Sequence, residues 1–146
     1  MKLLLSFFLL CSVLSNAQEL SKNPDNNIYE FSQVINNAVT SEKALSQLRE
    51  LKYVIIETGE SFIHAEGSFS HMVMGNFPVE IRYNVIYEFK DDRYRLKINR
   101  FVLQDKNPVA VPLEDMKSHT KRWIKKINEK LPDIVKALEI KENTGW

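Results

Sequence analysis

The sequence predicts an α+β fold: a four-stranded antiparallel meander sheet with N-terminal helices and a long C-terminal helix packed on one face. Two patterns carry this prediction. Over residues 79–89, apolar and polar residues alternate with the period of two that is typical of a strand with one buried face. Over residues 116–138, apolar residues recur at steps of three and four, which is typical of an amphipathic helix. The helix is therefore expected to cover the apolar side of the sheet.

The strand over residues 79–89 is predicted to form a hairpin with the segment that begins at Tyr94. A turn at Asp91 and Asp92 sets the register. Three apolar pairs then lie opposite each other across the strands: Phe89 with Tyr94, Tyr87 with Leu96 and Val85 with Ile98. On the other face Glu88 lies opposite Arg95, which is a favourable cross-strand pair. A slip of one residue would spoil both faces, so the sequence specifies this register.

Two further strands precede the hairpin. Residues 53–57 are predicted to form a short strand that ends at the turn around Gly59, and residues 62–73 a longer one. Continuing the alternation backwards places the odd positions from Ile63 to Val73 on the core face, and we expect Val54 and Ile56 to join them.

The remaining segments are predicted as helices and links. Residues 18–27 read as a polar leader, residues 28–39 as a helix, and Ser41 as the N-cap of a second short helix. In the long C-terminal helix, Pro132 is expected to cause a kink or a break, although the apolar phase continues through it. The predicted domain covers residues 28–140, and residues 141–146 form a tail.

The first seventeen residues are interpreted as a cleaved secretory signal peptide. Lys2 precedes an apolar run over residues 3–14, and small residues lead to a cleavage site between Ala17 and Gln18. A membrane anchor needs about 20 apolar residues, more than this run provides. Leu10 is too large for a lipoprotein signal before Cys11, so lipidation is disfavoured. We therefore expect a protein of the periplasm or the extracellular space.

Composition narrows the classes of partner. Cys11 is the only cysteine, so the mature chain forms no disulfide and relies on its core. Without Lys2 the 19 basic side chains equal the 19 acidic ones, which argues against nucleic acid as a partner. One face of the last helix is basic, a pattern that occurs in membrane-surface helices. Because the sheet needs the apolar stripe of this helix, the interpretation as a solvated face is favoured over membrane contact.

No catalytic or cofactor motif is present in the sequence. His64 and Glu66 share a strand face, but His71, seven residues away, points to the opposite side, and His119 lies in another element. A zinc site usually needs three or four ligands, so no metal and no cofactor is predicted. A hydrolase that uses His64 with Glu66 or Glu88 is kept as an alternative, and the sequence favours a protein that is not an enzyme.

The outer face of the sheet is the candidate functional surface. Apolar side chains on a face that should contact water suggest a contact surface, either for the first helices or for a partner. Leu103 is expected on the same face as the candidate residues for binding a ligand or partner, which are Tyr53, Ile55, His64, Glu66, Ile86, Glu88, Arg95, Lys97 and Phe101. The predicted function is a non-enzymatic interaction or ligand-binding module of the cell envelope that acts through this face.

A carrier of a small apolar ligand is the second alternative. In a helix-grip arrangement the long helix and the curved sheet enclose a cavity. Tyr83, Tyr87, Trp123 and Ile127 would line it. The expected partner is thus an unknown envelope protein or a small apolar ligand.

Several local motifs resemble a known family. They are Ile28-Tyr29-Glu30, a Glu-Thr-Gly turn, the run from His64 to Phe69, and Asp92-Arg93-Tyr94-Arg95. Over residues 28–103 the chain resembles small exported Bacteroidota proteins classed as a domain of unknown function with a TATA-binding-protein-like (TBP-like) fold. The resemblance implies a curved antiparallel sheet with helices on one side. It implies no activity, and the nucleic-acid function of the namesake does not follow from a shared topology.

Overall fold

The structure is a computed structural model that describes residues 18–140. The predicted signal peptide and the C-terminal tail lie outside the described residues. The strands are β1 (Ser21–Lys22), β2 (Tyr29–Ile35), β3 (Val54–Thr58), β4 (Phe62–Val73), β5 (Phe77–Phe89), β6 (Tyr94–Gln104) and β7 (Val111–Pro112). The helices are α1 (Ser41–Glu50) and α2 (Thr120–Leu138), and two short 3-10 turns precede α2.

The strands form one antiparallel sheet that has seven strands where four were predicted. Their order is β1-β2-β6-β5-β4-β3, and β7 pairs with the C-terminal end of β6. The predicted meander from β3 to β6 is present within it. The additional strands come from the chain on either side of the meander.

The predicted register of the central hairpin is confirmed. Phe89 pairs with Tyr94, Tyr87 with Leu96, and Val85 with Ile98. Strand β4 also has the predicted bounds and pairs with β5 along its whole length.

The prediction of a helix over residues 28–39 is wrong. The segment forms strand β2, which pairs with β6 so that Phe31 lies opposite Ile98 and Ile35 opposite Tyr94. A separation of four residues is even, so Phe31 and Ile35 share a face in a strand as well as in a helix. The strand is favoured over the helix because the unpaired edge of β6 can form a ladder of hydrogen bonds with this segment. The local sequence pattern contains no information about that edge.

Both helices pack on the same face of the sheet. The side-chain amide of Gln47, in α1, donates hydrogen bonds to the carbonyl oxygens of Ala137 (2.7 Å) and Glu139 (3.0 Å) at the end of α2. The predicted short helix is confirmed, but its N-cap is Thr40, whose hydroxyl accepts from the backbone N–H of Lys43, and not Ser41. Helix α2 runs without a break through Pro132.

The core lies between the helices and the odd positions of the sheet. The α2 stripe buries six side chains, and the sheet contributes the central residues of β4, β5 and β6. The core also includes Leu20, from the segment predicted as a leader, and the backbone N–H of Leu20 donates to the side chain of Asn128. Within residues 18–140, no helix is long and apolar enough to cross a membrane.

Two β-bulges shift the side-chain alternation. In β6, Arg100 and Phe101 together lie opposite Tyr83, and Arg100 adopts a left-handed φ of 52°. In β3, the extra residue is Ile56, between Ile55 and Glu57. A bulge moves every following side chain to the other face, so these two positions decide which residues the outer surface contains.

Candidate functional site

The outer face of the sheet carries no helix in the part of the chain that the structure describes. We call it the open face. Directly paired residues on neighbouring strands point to the same side of the sheet, so the face can be described as rows of side chains that run across the strands. The two central rows are His64, Ile86, Lys97 and Ser32, and then Glu66, Asn84, Asn99 and Glu30. Four strands at spacings of about 4.8 Å make the surface roughly 14 Å wide.

Near one edge of the open face, a carboxylate forms ion pairs with two basic side chains, and we call this group the charge ladder. The Glu88 carboxylate lies 3.3 Å from Arg95 Nη1 and 3.0 Å from Lys97 Nζ. The predicted pairing of Glu88 with Arg95 is thereby confirmed. Because these side chains are partly exposed, each pair contributes about 0–1 kcal/mol to stability. Because this energy is small, the main effect of the charge ladder is to orient the side chains of Glu88, Arg95 and Lys97.

Three polar atoms on the open face are buried and have no hydrogen-bond partner among the described residues. They are His64 Nε2, Arg82 Nε and Asn99 Oδ1. Asn99 is 8% exposed and is the only buried polar residue of the described core and sheet. A buried polar group without a partner costs about 1–3 kcal/mol, so each of these atoms gains from a partner outside the described chain, whether water or another molecule.

Six of the nine predicted site residues lie together on the open face: His64, Glu66, Ile86, Glu88, Arg95 and Lys97. Their placement follows from the alternation in β4, β5 and the first half of β6, where no bulge intervenes. Their role in binding stays a prediction.

The placement of the other three on the outer face is wrong. Phe101 is fully buried, and Leu103, which was grouped with it, is 4% exposed. The bulge at Arg100 turns both to the helix side. Tyr53 and Ile55 also pack against the core, because Ile55 pairs with Ala65. Conversely, Val54 and Ile56 were predicted in the core and are more than half exposed.

Tyr53 instead belongs to an aromatic cluster on the helix side. Its hydroxyl lies 2.7 Å from the hydroxyl of Tyr83, and its ring lies over Gly67, where a Cβ would overlap it. Burial raises the pKa of the Tyr83 hydroxyl, and the neighbouring Tyr53 raises it further. Burial also raises the pKa of Tyr53, an effect that the hydrogen bond to Tyr83 partly offsets.

The arrangement gives little support to a hydrolase. Both oxygens of Glu88 face cations, and His64 Nε2 has no hydrogen-bond partner in the described chain. General acid–base catalysis needs a positioned donor and acceptor within hydrogen-bond distance. Within residues 18–140, no group of three or more His, Cys, Asp or Glu side chains is placed to hold a metal ion.

The four side chains proposed for a carrier cavity are part of the packed core. Tyr83, Tyr87, Trp123 and Ile127 are each at most 5% exposed and belong to one continuous cluster. The Tyr87 hydroxyl donates to the Leu138 carbonyl oxygen, which ties the sheet to the end of α2. Their burial leaves little of their own surface for a ligand, although Tyr83 also borders an open cleft of about 430 Å³ between the sheet and α2.

Sequence reasoning missed several residues of the open face. Arg82, Asn84 and Asn99 follow from the same alternation that placed Ile86 and Lys97, so the signal was present. Ser32 was missed because its segment was predicted to be helical.

Comparison with known proteins gives matches in structure only. No family model and no curated protein matches the sequence. A DUF4468 family protein from Bacteroides ovatus aligns with a TM-score of 0.59 at 12% identity, covering 90% of this chain and 95% of that chain. A TBP-like protein from Parabacteroides distasonis aligns with a TM-score of 0.54 at 12% identity, covering 80% and 96%.

The fold is therefore TBP-like. The resemblance to a Bacteroidota domain of unknown function with this fold, predicted from the sequence motifs, is confirmed at the level of fold. The α+β class, the antiparallel sheet and the long C-terminal helix agree with it. At 12% identity the likeness carries no activity.

Proposed function

We propose that the protein is a non-enzymatic interaction module of the cell envelope, and that it binds a polar protein surface through the open face. The observation that carries this proposal is the group of unpaired polar atoms on His64, Arg82 and Asn99. A partner that supplies an acceptor to Arg82 and a donor to Asn99, once these side chains turn outward, would recover the cost of their burial.

The chemistry of the face favours a polar partner over an apolar one. Four of the five apolar side chains expected there pack on the helix side, and Ile86 remains between His64 and Lys97. Other apolar side chains of this face each pair with a charged residue: Val34 with Arg95, Phe62 with Glu88, Val54 with Glu66 and Val102 with Arg82. Acidic and basic side chains are interspersed in the surrounding rows. Mixed charge of this kind supports specific pairing with a complementary surface rather than general attraction to polyanions.

The rigidity of the surface also supports this role. Strands β4 and β5 pair over twelve successive residues, and the central rows lie in this part of the sheet. Partners that bind preformed surfaces lose less conformational freedom on association.

Site-specific photo-cross-linking in intact cells tests the proposal. A photoreactive residue in place of Ile86 should give one discrete adduct at native expression. The same residue in place of Lys136, which is exposed on α2, should not give that adduct. Adding Arg82→Ala and Asn99→Ala to the Ile86-labelled protein should remove the adduct while the thermal midpoint stays within a few degrees.

Two results would contradict the proposal. One is the same adduct from position 136, which would indicate random collision. The other is an adduct from position 86 that persists in the Arg82 and Asn99 double variant.

A further inference from the structure

The far end of the β4–β5 hairpin carries an exposed apolar patch. Met72, Met74 and Phe77 are 53%, 88% and 46% exposed, and we call these three residues the hairpin tip. Met72 pairs with Pro78, and Phe77 pairs with Val73, so the three side chains surround one turn. Val109, 70% exposed, lies in the loop that also carries Lys106.

The backbone of the turn makes Met74 an unusual choice. Met74 and Gly75 have left-handed φ values of 50° and 79°. Gly and Asn adopt this conformation at low cost, whereas a long side chain is strained there. A Cβ on Gly75 would meet nothing within 4 Å, so the turn projects into open space. The chain thus holds an apolar side chain that is 88% exposed in a conformation that does not favour it.

Basic side chains surround the hairpin tip. Arg122 and Lys126, on α2, line a shallow cleft of about 210 Å³ together with Met72 and Met74. Lys106 Nζ lies 3.9 Å from the centre of the Phe77 ring. Of the nearby acidic groups, Asp105 is adjacent to Lys106, and Glu129 lies 3.7 Å from Lys126. Glu80 lies two residues beyond Pro78 in β5, on the same face as Met72. Residues 120–130 contain five basic side chains and one acidic one, so the surroundings are positive.

We propose that the hairpin tip docks on an anionic lipid surface, with the methionines and Phe77 entering the interface and the surrounding cations contacting lipid headgroups. Apolar insertion and attraction to anionic headgroups add to each other in interfacial binding. A neutral apolar partner would gain nothing from the cations. This site is separate from the open face, and it gives the basic end of α2 a function although the helix's own apolar stripe is buried.

Vesicle co-sedimentation of the mature protein tests this inference. Vesicles of phosphatidylglycerol and phosphatidylcholine in equal parts should bind the protein, and vesicles of phosphatidylcholine alone should bind it much more weakly. Added salt should weaken the binding because it screens exposed charges.

Substitutions at the tip should separate binding from folding. Met74→Asn should weaken vesicle binding about tenfold and leave the fold intact or slightly more stable, since Asn suits a left-handed residue. The matched control is Val54→Asn, which removes another exposed apolar side chain, 61% exposed, from edge strand β3 and should not change binding.

Charge substitutions provide an independent measurement. Arg122→Gln and Lys126→Gln should each weaken binding about fivefold. Lys136→Gln, at the other end of α2, should have a much smaller effect.

The inference is overturned if the unaltered protein does not bind the anionic vesicles, or if Met74→Asn binds as well as the unaltered protein. A tip that instead joins two copies of the chain would show a dimer in sedimentation velocity that Met74→Asn dissociates, without vesicle binding. That result would also overturn it.

Discussion

At the scale of single residues, Gly67 shows how one position shapes the interior. It lies in the middle of β4, and the absence of a side chain leaves room for the Tyr53 ring. The ring then packs edge-on against Tyr83 with centroids 6.1 Å apart, and the two hydroxyls form a hydrogen bond. A glycine inside a strand often marks a close approach of this kind.

We expect Gly67→Ala to lower the free energy of unfolding by about 1–3 kcal/mol, because the new methyl group displaces the Tyr53 ring. Urea unfolding measures this loss. In a Tyr53→Ala background the same substitution should cost little, since the ring is gone. Equal costs in both backgrounds would mean that the glycine serves the backbone rather than the ring.

The buried tyrosines predict a dependence of stability on alkaline pH. Burial raises the pKa of Tyr83 and Tyr87 above the ordinary value of 10.0. Above that pH, the unfolded chain loses hydroxyl protons that the folded chain keeps, so stability is fully present below about pH 10 and falls as pH rises. The slope approaches about 1.4 kcal/mol per pH unit for each tyrosine. Denaturant midpoints measured upward from pH 8 should fall less steeply in Tyr83→Phe.

At the scale of elements, the difference between strands with and without bulges explains what could be predicted. The β5 strand and the first half of β6 alternate strictly, so their register and faces follow from the sequence. The bulge at Arg100 could not be predicted, since Arg has no preference for a left-handed φ. Because of this one extra residue, Phe101 and Leu103 point to the helix side of the sheet, opposite to the side that the sequence predicts.

This bulge leads to opposite expectations for two substitutions to the same residue type. Phe101→Asp buries a charge in a fully packed position and should lower the free energy of unfolding by more than about 4 kcal/mol. Ile86→Asp, on the open face, should change it by about 1 kcal/mol or less. Chemical denaturation of both variants checks the assignment. Similar losses would place both side chains on one face.

Strand β2 illustrates the other limit of local patterns. Its apolar spacing fits a helix, and only the pairing with β6 makes it a strand. Such pairing depends on residues that are far apart along the chain: Phe31 and Ile98 are 67 positions apart. Tertiary context overrides propensity most easily in short segments of this kind.

At the scale of the whole molecule, the described fold begins before the predicted domain boundary. Leu20 is 9% exposed in the common core, its backbone N–H donates to Asn128 at 2.9 Å, and β1 pairs with β2. The polar composition of residues 18–27 predicts a leader, and it gives no sign that Leu20 anchors the segment to the core.

The role of this segment predicts the effect of shortening the chain. Leu20→Ala should lower the free energy of unfolding by about 2–3 kcal/mol, because a buried leucine leaves a cavity between β2 and α2. A chain that begins at residue 28 should lose at least as much, since it also lacks the β1 pairing. Glu19→Ala, an exposed neighbour, is the control and should be neutral. If the chain that begins at residue 28 unfolds at the same urea concentration as one that begins at residue 18, residues 18–27 are a leader after all, and the contacts of Leu20 add nothing to the stability of the domain.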